Sequence, residues 1–73
     1  MQREQLVRRL AQRIRQLREK HNISQENLAH EAGLSRVSMA QVEQGRRAAS
    51  LLTLHKIAKG FGISMSELLK GVD

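Results

Sequence analysis

His21, His30 and His55 are the side chains of this chain best suited to hold a metal ion, yet their spacing puts no two of them on one helical turn. Neither a cysteine nor a paired carboxylate accompanies them, so they read as isolated surface histidines. Gly60-Phe61-Gly62 has the look of a phosphate loop but lacks both the lysine and the preceding strand that such a loop needs. Serines are present throughout, but nothing in the spacing sets one against a histidine as nucleophile and base. No enzymatic activity and no cofactor are expected. The chemistry that remains is charge: 13 Lys and Arg against 7 Asp and Glu, a formal net charge of +6. A basic chain favours a polyanionic partner, because neutralising phosphates releases counterions. The charge is uneven, with residues 1–20 at +5 and residues 21–73 at only +1.

Those charges have to be carried by some framework, and the apolar pattern supplies it. Leu6, Val7, Leu10, Ile14 and Leu17 form one stripe on a 3.6-residue period, with arginines on the other faces. This predicts a first helix from about Arg3 to Lys20, ending near His21 and Asn22. Ser24 stands at an N-cap position before a short helix with Leu28, Ala29 and Ala32 on its apolar face, stopped by Gly33. Ser35 caps a third helix that buries Met39 and Val42 and stops at Gly45. Ser50 caps a fourth with the stripe Leu51, Leu54, Ile57, Ala58 and Phe61, closed by Gly62. Ser64, with Glu67 three residues on, forms a capping box for a last helix that buries Met65, Leu68 and Leu69, with Val72 left open between core and surface. No period-2 alternation occurs, so the fold class is all-α with five helices, one domain over residues 1–73.

A chain of 73 residues buries only about 60% of its unfolded surface, so self-association would help it. It has no cysteine, which fits a reducing cytoplasm. No apolar run approaches the roughly 18 residues of a membrane span, and the charged N-terminal segment lacks a signal peptide's apolar stretch. A cytoplasmic protein without a membrane partner is expected. The first helix is basic and amphipathic, but its apolar face lacks aromatics and is needed for the core, which argues against a membrane surface. Phe61 is the single aromatic residue, so stacking platforms for single-stranded nucleic acid, which need several aromatic faces, are not expected.

The informative stretch is residues 25–44. Counting from Gln25, the apolar fourth, eighth, tenth, fifteenth and eighteenth positions are Leu28, Ala32, Leu34, Met39 and Val42. Ala29 at the fifth must be small where two helices cross, and Gly33 at the ninth must accept positive φ so that the chain can turn sharply. This is the spacing a helix-turn-helix needs to hold one helix proud of the surface.

Residues 24–45, from Ser24-Gln-Glu-Asn-Leu-Ala to Val42-Glu-Gln-Gly45, resemble the Cro/repressor-type helix-turn-helix, the XRE family, with its lambda-repressor-like five-helix fold. Residues 50–69 are similar to that family's fourth and fifth helices, so the resemblance spans about Ile14 to Leu69. It implies a sequence-specific, DNA-binding transcription regulator with a recognition helix of about residues 35–44 in the major groove. By the same resemblance Gln25 grips a phosphate at a helix N-terminus, and Ser35, Arg36, Val37, Ser38 and Gln41 face base edges or the adjacent backbone. Arg36 suits a bidentate contact to guanine, and Val37 suits packing on a thymine methyl. Arg46 and Arg47 are placed for phosphates, whereas the arginines of the first helix read as a solvated face. Arg18 and Glu43 match a structural ion pair of the family that ties the first helix to the end of the recognition helix.

Ala49, Leu52 and Gly60 depart from the family pattern, in which proline and a charged residue are common at the first two positions. Leu52 lies off the core stripe, and Gly60 signals close packing or a bend. One recognition helix covers only a few base pairs, so a homodimer on a pseudo-palindromic operator is expected. Leu52, Phe61, Met65, Leu69 and Val72 are the candidates for its interface. Stand-alone domains of this size resemble phage repressors and restriction–modification controller proteins. The alternative is a protein-interaction module such as an antitoxin, with DNA binding secondary. No small-molecule ligand is expected from so small a core.

Overall fold

Four serines start four of the five helices. The computed structural model describes residues 2–73, with α1 at Arg3–His21, α2 at Gln25–Ala32, α3 at Arg36–Glu43, α4 at Leu51–Phe61 and α5 at Met65–Leu68. Ser24, Ser35, Ser50 and Ser64 have extended backbones, and each hydroxyl accepts from the amide three residues on, at 3.0, 3.0, 3.1 and 3.0 Å. Each such cap is worth about 1 kcal/mol by satisfying an orphan N–H. α1 begins without a side-chain cap at Gln2 and ends at Asn22, whose φ is 54°. Gly33, at φ 69°, closes α2: its N–H reaches the His30 carbonyl at 3.1 Å and the Leu34 N–H reaches Ala29 at 2.9 Å. This left-handed closure turns the chain sharply into α3.

α2 packs on both α3 and α4, α1 packs on α3, and α5 closes on α4. Leu10, Ile14 and Leu17 of α1 meet Leu28, Met39, Val42, Ile57, Phe61 and Leu68 in one core. Gly60 sits where α4 comes closest to α2: a Cβ there would stand 3.2 Å from the Ala32 amide nitrogen and 3.2 Å from Cδ1 of the fully buried Leu28. Gly60→Val is therefore expected to destabilise the fold by about 1–3 kcal/mol, although valine is the better helix former. The urea midpoint reports this; an unchanged midpoint would mean that α4 can move off α2.

Several expectations about exposure need correction. Phe61 and Val72, candidates for a dimer surface, are only 8% and 5% exposed and belong to the core. Phe61 lies over the His21 ring at 5.3 Å between centroids. α5 is a single turn, and the chain after it bends back, with the Val72 N–H on the Leu69 carbonyl, so that Val72 points inward. At the other extreme, Leu6 and Leu51 begin their stripes yet are 43% and 73% exposed, each in the first turn of its helix. Glu67 departs from the capping box as well. Its amide is capped by Ser64, but its carboxylate lies 4.0 Å from Arg13.

Candidate nucleic-acid interface

α3 is clamped at one end and free at the other. At its C-terminal end, Arg18 Nε donates to both oxygens of the Glu43 carboxylate, at 2.9 and 3.0 Å. Glu43 is the buried charged residue of the core, 2% exposed. Arg18 also donates through Nη1 to the Ile23 carbonyl at 3.3 Å, tying in the turn between α1 and α2. Arg15 donates to the main-chain carbonyl of Glu43, placing a second positive charge at the negative end of α3. A third arginine, Arg13, donates to the carbonyls of Glu67 at 2.6 Å and Leu68 at 3.2 Å and so holds α5.

Sequence reasoning missed Arg13 and Arg15, having assigned them to a solvated face. The spacing of Arg15 and Arg18, three apart, was the available signal, since it aims both at the same neighbour.

The opposite end of α3 projects. Ser35, Arg36 and Val37 are exposed, Ser38 and Gln41 half-buried. Val37 exposes 67% of its surface, an apolar side chain left largely open to solvent. Arg36 beside it has no carboxylate partner, because among the described residues the two ion pairs are Arg13–Glu67 and Arg18–Glu43. Gln25 is half-buried in the first turn of α2. Beyond α3, Arg46 and Arg47 are exposed. The Arg46 amide bonds the Gln41 carbonyl at 3.1 Å, and Arg47 Nη1 lies 3.5 Å from Gln41 Oε1. Gln41 therefore joins the loop cations to the exposed face of α3. The structure thus brings Arg36, Val37, Ser38, Gln41, Arg46 and Arg47 together along one helix and the loop that follows it. That surface offers guanidinium forks, a methyl-bearing side chain and amide groups, with no neutralising carboxylate paired to them.

Elsewhere, an apolar groove of about 290 Å³ runs between the first turn of α1, the loop before α4 and the turn after α5. Leu6, Val7, Leu54 and Leu69 are among its walls. Its volume falls at the lower limit of small-molecule sites, which span about 300–1,000 Å³. No helix among the described residues is long and apolar enough to cross a membrane.

A short α2, a sharp glycine turn and a projecting, serine-capped α3 define a helix-turn-helix protein, and the chain belongs to the Helix-turn-helix family, whose profile matches residues 14–68. Its relatives include control proteins and an HTH-type transcriptional regulator. The chain is 38% identical over 66 residues to the control protein C.MunI of a Mycoplasma species, a match covering 89% of each. It is 42% identical over 59 residues to the control protein C.BamHI of Bacillus amyloliquefaciens, covering 80% of this chain and 73% of the relative. Among solved structures, the restriction-modification controller protein C.AhdI from Aeromonas hydrophila superposes with a TM-score of 0.81 at 39% identity, over 85% of this chain and 94% of that one.

Proposed function

We propose that this chain is a sequence-specific DNA-binding transcription regulator of the restriction–modification controller kind, without enzymatic activity, which reads the major groove with α3. The observation that carries the reading is the end-on clamp of α3. Three side-chain bonds from Arg15 and Arg18 hold its C-terminal end, while its N-terminal residues stand clear of the domain. Side chains on a rigid, projecting helix can reach base edges that lie deep in the groove. Arg36, Val37, Ser38 and Gln41 read bases; Ser35, Gln25, Arg46 and Arg47 hold the backbone, the last two from the loop after α3.

A homodimer follows from the small footprint of one α3. Its interface is built from Leu52, Met65 and Leu69, with Leu51 beside them in place of the buried Phe61 and Val72. Leu51 and Leu52, 73% and 64% exposed, start the helix whose Leu54 walls the apolar groove together with Leu69.

The test is binding to DNA just upstream of the protein's own gene, against a scrambled duplex, across a salt series. Specific regulators prefer their sites by about 1,000-fold or more. Equal, weak and salt-labile binding to both duplexes would refute a self-regulating, sequence-reading role. Within the same series, Arg47→Ala is expected to weaken all sequences alike and to shallow the salt slope by about one unit per protomer. An unchanged slope would remove Arg47 from the phosphate contacts.

A further inference from the structure

The arginines of α1 divide into two groups. Arg13, Arg15 and Arg18 donate to carbonyls and carboxylates of the chain itself. Arg3, Arg8 and Arg9 are exposed, and neither ion pair among the described residues includes them. Two of these three are not scattered. The chain leaving α3 crosses α1 so closely that a Cβ at Gly45 would stand 3.6 Å from Cγ and 3.7 Å from Cα of Arg8. Arg46 follows directly, and a cleft of about 300 Å³ opens here with Arg3, Arg8 and Arg46 on its walls. Glu4 is the one carboxylate in that lining and leaves the cleft with a net positive charge. Arg9 faces elsewhere, in a separate cleft with Arg13 and Lys70.

We infer that Arg3 and Arg8 continue the phosphate-gripping surface of Arg46, so that the cleft between α1 and the loop after α3 receives a backbone phosphate of the bound duplex. This rests on the proposed function and extends it to residues distant in sequence from the helix-turn-helix. Three cations held around one cleft repel each other, and the repulsion is relieved when an anion enters. The surface is also continuous with Arg47 and Gln41 through Arg46, so an anion in the cleft lies along the same track. A regular polyanion such as duplex DNA supplies phosphates at successive points of that track.

Full-length wild-type protein and the variants Arg8→Gln, Arg3→Gln/Arg8→Gln and Arg9→Gln are titrated with a duplex selected from a random library, over a salt series. Glutamine keeps most of the aliphatic stem that packs on Gly45 while removing the charge. Arg8→Gln is expected to shallow the slope of log K against log salt by about 0.9 per protomer, and the double variant by up to about 1.8. Arg9→Gln is expected to leave it nearly unchanged, and Arg8→Lys to retain the wild-type slope. All variants are expected to keep the wild-type sequence preference, because a phosphate contact carries no base information. Equal slopes for Arg8→Gln and Arg9→Gln, with a selected duplex in hand, would overturn the cleft while leaving the proposed function standing. Failure of the wild-type protein to enrich any duplex would overturn both.

Discussion

Arg18→Ala is expected to lower the unfolding free energy by about 3 kcal/mol or more, a large share of the stability of so small a domain. At roughly 0.05–0.15 kcal/mol per residue, a chain of 73 residues holds about 4–11 kcal/mol. The loss comes less from the missing attraction than from what is left behind. Glu43 is 2% exposed, and both its oxygens are held by the one guanidinium nitrogen of Arg18. Removing the arginine strands a carboxylate that is almost wholly enclosed by the protein. Arg18 is itself partly open to solvent, at 24% of its side chain, so some water can enter and the effect lies toward the lower end of the range for buried pairs. The discriminating variant is Arg18→Met/Glu43→Leu, in which both charges are gone. It is expected to recover most of the loss, since replacing a buried pair by apolar groups is often neutral or stabilising. Urea denaturation of the two singles and the double closes the cycle. A double variant as unstable as Arg18→Ala would show that the arginine's bond to Ile23, and not the pairing, carries the stability.

The second large effect concerns recognition. Arg36→Ala is expected to cost about 1–3 kcal/mol of binding at one base position and to relax specificity there, leaving other positions unaffected. The guanidinium is exposed, pairs with no carboxylate, and stands in the first turn of α3 beside Val37. It is thus free to make two parallel bonds to a guanine edge without first breaking a contact in the protein. Binding is measured against a panel of duplexes that vary one base pair at a time. Equal loss on every member of the panel would make Arg36 a phosphate contact instead.

Clamping and recognition are coupled through α3. The same helix that carries Arg36 is fixed by Arg15 and Arg18 at its far end. Loosening the clamp should therefore blur specificity before it abolishes binding, because phosphate contacts from the loop tolerate reorientation better than bidentate base contacts do. The core adds a second restraint, in that Met39 and Val42 anchor the buried face of α3 between α1 and α2.

Much of this architecture is local and so was legible in the chain. Ser24, Ser35, Ser50 and Ser64 mark helix starts because a serine oxygen reaches the amide three residues on, whatever the rest of the protein does. Gly33 marks the turn for a similarly local reason. The 3.6-residue stripes placed Ile14, Leu28, Met39, Ile57 and Leu68 in the core, where all five are fully enclosed. Spacing within residues 25–44 was enough to set α3 apart as the projecting helix.

Contacts between distant segments were decided by the tertiary structure alone. Whether an arginine of α1 is structural or free depends on which carbonyls the fold brings within reach, and Glu43 and Glu67 lie 28 and 54 residues from Arg15 and Arg13. A helical wheel shows only that such residues leave the apolar face. Phe61 stayed on the core stripe that its period gave it, whereas Val72 went inward and Leu6 and Leu51 outward, because periodicity tells which side of a helix is apolar but not where along it the neighbouring helices stop. The sequence by itself settled the helices, their caps and the turn between α2 and α3, all governed by interactions three or four residues apart. The fold decided how the cations are divided, with Arg13, Arg15 and Arg18 holding α3 and α5 in place and Arg3 and Arg8 left beside Arg46, because charge pairing follows distance in space.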